Sequence, residues 1–171
     1  MKRTITSRGF TLNKFLDSNG VECSLQESSL GTERAVWLGV NDANPTLNGS
    51  PVNLSGLSNF DTRMVLIDTR MHLSKKLTKK LLKCLKIFLN GKIFEAFDFV
   101  DRYNCKCSMK ISDGLIEIGP DDPNPRYCHQ GWKPLHYPDE TKFTTHMFLN
   151  KELVDQLTPC LEYFVETGEL R

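Results

Sequence analysis

Aromatic and aliphatic residues first come in short runs mixed with polar ones, and only later at helical spacing. The runs FTLNKFLD and VECSLQES are separated by the turn SNG. That layout predicts a β-hairpin, with Gly20 suited to positive φ. AVWLGV predicts a third strand ending in Gly, and VLIDTRMHL a fourth. The spacing then changes. Leu77, Leu81, Cys84, Leu85 and Phe88 recur at helical intervals, which predicts a helix over 74–90 with Ser74 as N-cap and Asn90-Gly91 at its end.

The same series then recurs. Residues 15–26 lie over 99–110, residues 35–45 over 115–125, and residues 70–89 over 146–165, with 16 identities in 43 positions. Average residue usage gives roughly 5–7% identity by chance, so the match is a duplication. The second series runs FEAFDFVD, the turn RYN with Asn104 at the positive-φ place, CKCSMKIS, LIEIGP and KFTTHMFL. Leu153, Leu157, Cys160, Leu161 and Phe164 then repeat the helical stripe. They predict a helix over 150–167, capped by Asn150 and closed at Thr167-Gly168. The expected fold is α+β: two tandem repeats, 1–93 and 94–171, related by a pseudo-twofold axis. Each is an antiparallel sheet of three to four strands followed by one helix.

Composition narrows the class without naming it. The 171 residues are 39% hydrophobic and 25% charged, which excludes a collagen or disordered chain and gives one domain or two small ones. No apolar stretch nears the 18 or so residues of a membrane span. The basic start MKRTITSRGF lacks the apolar stretch of a signal peptide, so a cytoplasmic protein is expected.

Duplication also orders the cysteines. Cys23 aligns with Cys107, and Cys84 with Cys160, at apolar places where a free thiol behaves as a small hydrophobe. Cys105 and Cys128 have no counterpart. With His129 and Cys107 they outline a zinc set, but without paired Cys-x-x-Cys knuckles, so neither metal nor disulfide is expected. His72, His129, His136 and His146 fit no catalytic motif. The chain has no Gly-x-Ser-x-Gly elbow, phosphate loop, His-Glu-x-x-His or dinucleotide fingerprint. The reading is therefore a non-enzyme without cofactor. The loop NDANP, repeated as DDPNP, offers Asp42, Asn44, Asp122 and Asn124 as oxygen donors. Asp and Asn there also serve turn chemistry, and the two loops are candidates to share one ligand across the pseudo-twofold.

The halves differ in charge. Residues 1–93 hold 14 Lys and Arg against 7 Asp and Glu, and residues 94–171 hold 8 against 14. The excess gathers on Lys75, Lys76, Lys79, Lys80, Lys83 and Lys86, which span an arc of about 140° opposite the apolar stripe. The second helix has Glu152, Asp155 and Glu162 in place of Lys76, Lys79 and Lys86. Such a face is a solvated surface, a contact for phosphates or an acidic protein, or a membrane-surface helix. The membrane reading conflicts with an apolar stripe that both copies commit to a core. Opposite charges on the two helices also allow a weak homo-oligomer beside a monomer.

The stretch GVECSLQESSLGTERAVWLGVNDANP, with TRMHL and a closing FVETGEL, resembles a set of short proteins from phages and bacterial mobile elements. The upstream string is best kept at Glu22 to Pro45, and the closing string at Phe164 to Leu170. The resemblance implies a setting, not a chemistry: a small non-catalytic protein acting in a bacterial host cell. The leading expectation is an anti-defence inhibitor, comparable to anti-CRISPR proteins. It would set the lysine face against a host protein, a nucleoprotein or its nucleic-acid backbone. The alternative is a protein that sequesters a small ligand such as a nucleotide between the two Asp-x-Asn-Pro loops.

Overall fold

A computed structural model describes residues 1–29, 33–53, 65–128 and 131–171. The first part of the chain forms β1 (Lys2–Ile5), β2 (Thr11–Leu16), β3 (Glu22–Glu27) and β4 (Ala35–Val40). Short β5 (Thr46–Leu47), β6 (Ser50–Pro51) and β7 (Val65–Leu66) precede β8 (Arg70–Ser74) and helix α1 (Lys75–Leu89). The second part forms β9 (Phe97–Val100), β10 (Lys106–Ser112) and β11 (Leu115–Pro120). It continues through β12 (Arg126–Cys128), β13 (Trp132–Pro134) and β14 (Met147–Leu149) to α2 (Lys151–Thr167).

The architecture is α+β. Antiparallel sheets of order β1-β2-β3-β4-β8 and β14-β11-β10-β9 carry two helices that pack together. Period-two alternation decides which face is which. Cys23, Leu25, Val36, Leu38, Val40, Met71 and Leu73 point into the core from the first sheet; Cys107, Met109, Ile116, Ile118, Met147 and Leu149 do so from the second. Leu81 and Leu85 of α1 and Leu157, Leu161 and Phe164 of α2 close over them, so one apolar core spans both parts of the chain. Each such buried Leu or Phe contributes about 1.5–3 kcal/mol.

Both helices start as expected. The Ser74 hydroxyl accepts from Leu77 N at 3.3 Å and the Asn150 side chain from Leu153 N at 2.9 Å. Gly168 closes α2 in the left-handed conformation. The hairpins β2-β3 and β9-β10 turn at Gly20 and Asn104, both with positive φ. Aligned residues also pair alike: Cys23 with Val40 and Leu25 with Leu38 in one sheet, Cys107 with Pro120 and Met109 with Ile118 in the other.

The expected pair of clean three- to four-stranded repeats needs correction. The first sheet has five strands, because Lys2–Ile5 adds to the free edge of β2 through backbone bonds that no apolar pattern announces. VLIDTRMHL is not one strand. Val65 and Leu66 pair with β12, so a three-stranded sheet β13-β12-β7 draws on both parts of the chain, and β5 and β6 form a further pair.

The two parts clasp each other through matching bonds. Asp17 accepts from Asn19 N and Val21 N in its own turn and reaches Phe148 N of β14 at 3.0 Å. Asp101 accepts from Tyr103 N and Cys105 N and reaches His72 N of β8 at 2.9 Å. Ser18 N donates to Phe148 O, and Arg102 N to His72 O. Thr144 N donates to Ala43 O, and Asp68 N to Pro123 O. Each hairpin turn and each Asp-x-Asn-Pro loop thus lies against the other part's last strand or the segment leading into it.

Candidate functional site

The outward face of the first sheet follows from the alternation that fills the core. Gln26, Trp37 and His72 stand side by side on it through the pairings Gln26 with Trp37 and Trp37 with His72, and Arg70 follows beside Gly39. The Asp101 turn brings Tyr103 over this face. Tyr103 stacks on Trp37 at 5.6 Å between ring centres, and His72 lies 4.3 Å from Trp37. The Arg70 guanidinium sits 5.8 Å from the Trp37 ring. A Cβ at Gly39 would overlap Thr69 O and lie 2.8 Å from Arg70 Cα, so glycine is what lets β8 come this close.

A cavity of about 880 Å³ opens beside these residues. Its walls are Trp37 and Arg70 of the first sheet, the segment 65–69, the turn Tyr103–Lys106, and the Asp42, Asp122, Asn124 and Arg126 loops. Three of the four expected loop residues, Asp42, Asp122 and Asn124, therefore meet at one cavity; Asn44 is not among those lining it. The loops also make the expected turns, with Asp42 accepting from Asn44 N at 3.0 Å and Asp122 from Asn124 N at 2.8 Å. Asn124 donates to Asp68, which pairs with Arg126 at 2.7 Å.

Burial shapes the electrostatics. It pulls the Arg70 guanidinium below its usual value, which leaves a half-buried cation. It raises the Asp68 carboxyl, against the opposing pull of Arg126. His72 is fully buried, and that burial, reinforced by Arg102, lowers its pKa, which keeps the imidazole neutral. Its Nε2 lies 2.8 Å from Ser28 Oγ, while Nδ1 has no hydrogen-bond partner among the described residues.

The lysine face is less uniform than its spacing suggests. Lys86 pairs with Glu162 of α2 at 2.6 Å, Lys75 reaches Glu166 O at 3.4 Å, and the Lys80 ammonium sits 4.4 Å from the Phe97 ring centre. Lys76, Lys79 and Lys83 remain exposed as a narrower basic stripe.

All six cysteines are free thiols. Cys23 and Cys107 are buried as their alignment implies, whereas Cys84 and Cys160 are half-buried. Burial pushes Cys23 up to about 12 and raises Cys84 and Cys160 as well. The Cys107 thiol lowers Cys105, which lines the cavity, and is itself raised by that contact and by burial. His129 of the drawn zinc set lies outside the described residues, as do residues 30–32 of the upstream string. No cluster of three metal-binding side chains occurs among the described residues. Likewise, no helix among them is long and apolar enough to cross a membrane.

One polar group on the second sheet went unforeseen. Ser108 Oγ lies 2.6 Å from Asp121 Oδ1 and 3.2 Å from His146 Nε2, which is itself 3.4 Å from the same Asp121 oxygen. This is not a nucleophilic triad. There the carboxylate holds the imidazole nitrogen remote from the nucleophile, whereas His146 Nδ1 here faces Thr145 Oγ1 at 3.2 Å. The first sheet has only the corresponding pair, Ser24 Oγ donating to Asn41 at 2.6 Å.

No protein-family model matches the chain, and no curated protein is detectably similar to it. The case for a site therefore rests on geometry. Sequence reasoning missed Trp37, Arg70, Tyr103, Lys106 and Arg126. The first four did carry a signal: their aligned partners are Glu117, His146, Asn19 and Glu22, so the two halves of the sequence differ where the cavity is built.

Proposed function

We propose that the protein is a duplicated unit whose copies meet about a local twofold axis, and that it acts as a non-catalytic, ligand-sequestering protein. Its ligand site is the composite cavity between the first sheet and the second copy's turn and loop. The observation that carries this reading is the meeting of Asp42, Asp122 and Asn124 with Trp37, Tyr103 and Arg70 around about 880 Å³. That volume is in the range of small-molecule sites, and a few polar groups converge on aromatic walls as such sites require. The matching clasps at Asp17 and Asp101 support the duplication. The resemblance to phage and mobile-element proteins favours action in the cytoplasm of a bacterial host.

The test is to expose the purified protein to the small-molecule fraction of bacterial cells, desalt it, and record a native mass spectrum and a melting curve. A retained small molecule with a raised Tm is expected, since a ligand bound only by the folded state stabilises it by mass action. An unchanged mass and Tm with every fraction would overturn the reading.

A second reading has its own observation. Lys76, Lys79 and Lys83 stay exposed along α1, and we hold them as the contact for an acidic host protein or nucleic-acid backbone that the protein would block. Binding to either would fall steeply with added salt. Binding that ignores salt would remove the stripe from the account.

A further inference from the structure

We infer that the ligand of this cavity is a nucleoside phosphate, an inference that rests on the sequestering function proposed above. The accounting of donors and acceptors around the cavity carries it. Each of the carboxylates there already accepts at least one N–H group. Asp101 receives three backbone N–H groups, Asp68 receives Arg126 and Asn124, and Asp42 and Asp122 each receive the backbone N–H of an Asn.

Donors are left over. Arg70 has no carboxylate within salt-bridge distance among the described residues, and its one polar side-chain contact is Gln26 Oε1 at 3.4 Å. Arg126 spends a terminal nitrogen on Asp68 but keeps a buried Nε without a partner among the described residues. Lys106 is exposed at the rim, with no carboxylate partner among the described residues. A buried donor left unmade is costly, and a guanidinium suits an oxyanion that accepts several bonds at once. Two cations without a carboxylate partner among the described residues, Arg70 and Lys106, together with the open Nε of the Asp68-paired Arg126, favour an acceptor-rich anion here.

The other half of the ligand is a ring. Tyr103 stacks one face on Trp37 and remains 56% exposed, so a free aromatic surface stands at the mouth of the cavity. Flat bases stack on such surfaces whatever their sequence identity. An aromatic platform beside an anion hook describes a nucleoside phosphate, with the ring at Tyr103 and the phosphate at Arg70, Lys106 and Arg126.

Isothermal titration with AMP, GMP, CMP and UMP, their nucleosides and inorganic phosphate tests this, alongside the native mass spectrum. At least one nucleotide should bind one per chain, with its nucleoside and phosphate alone each weaker by about tenfold or more. Arg70→Gln and the rim variant Lys106→Gln should each weaken the nucleotide by about 10- to 100-fold and its nucleoside by far less. Tyr103→Ala should weaken both. Circular dichroism and Tm identify any variant that fails to fold, and Lys106→Gln, at an exposed position, keeps the test open if Arg70→Gln does. A retained molecule that is uncharged, cationic or without a ring would overturn this inference and leave the sequestering function standing. No retained molecule at all would overturn both. Nucleotide affinity that survives Arg70→Gln and Lys106→Gln would overturn the assignment of the phosphate end.

Discussion

The outward faces of the two sheets are built on the same backbone plan and do opposite things with it. Where the first sheet has Trp37 beside His72, the second has Glu117 beside Phe148, and Glu117 is closed by Lys110 at 3.2 Å. Where Arg70 stands without a carboxylate among the described residues, His146 lies against Asp121. The turn that covers the first face brings Tyr103 and Lys106; the aligned turn brings Asn19 and Glu22. One face keeps cationic donors beside an aromatic surface, whereas on the other Glu117 pairs with Lys110 and His146 lies against Asp121. A shared scaffold therefore separates what the fold needs, which is the same on both sides, from what the proposed ligand needs, which only one side offers.

The largest expected effect comes from erasing that difference. Trp37→Glu with Arg70→His places the second face's residues at the two central positions of the first. Nucleotide binding should fall by more than about 100-fold, as read by titration, because the cation and its aromatic neighbour go together. Next come the glycines that both sheets share. A Cβ at Gly39 would overlap Thr69 O, and one at Gly119 would overlap Thr145 O. Gly39→Ala and Gly119→Ala should each cost about 2–4 kcal/mol in urea unfolding. Gly39, also at positive φ, should cost the more. A negligible cost at either position would break the claim of a common scaffold.

Asp17→Ala and Asp101→Ala sharpen the comparison. Each strips its carboxylate from three backbone N–H groups and should cost about 1–3 kcal/mol. Only Asp101→Ala should also weaken ligand binding, because only that clasp holds Tyr103.

A pH series gives a smaller effect. His72 has its pKa lowered by burial, so the unfolded chain takes up the proton first. Stability is then lost as pH falls below the ordinary imidazole value of about 6.5. Between pH 7 and 5 the loss should shrink in His72→Phe, which borrows the residue at Phe148. The smallest change belongs to Lys86→Gln. This exposed pair with Glu162 should be worth under about 1 kcal/mol and less in salt.

Much of the fold was legible because one residue pattern recurs along the chain. Ser74 and Asn150, Gly20 and Asn104, and the paired strands follow from aligned patterns and cap chemistry. The strand Lys2–Ile5 was not legible, since an edge strand held by backbone bonds needs no apolar pattern. Nor was the break in VLIDTRMHL, which arises from outside the segment: Pro123 O takes Asp68 N, and Val65 and Leu66 join β12. The Asp-x-Asn-Pro loops were legible as candidates, yet their meeting at a cavity depends on contacts across the two parts of the chain. The lysine spacing was legible too. Its partial neutralisation by Glu162 and Phe97 was not, because those residues are distant in sequence.

The most direct measurement is an amide and indole NMR titration with the four nucleoside monophosphates. Trp37 lies in the cavity wall and Trp132 outside it, so the two indole N–H signals act as probe and control. The account predicts that with at least one nucleotide the Trp37 signal and the amides of Tyr103 and Arg70 shift together and saturate at one ligand per chain, while Trp132 stays in place. A still Trp37 signal at millimolar nucleotide, or shifts confined to Lys76, Lys79 and Lys83, would contradict it.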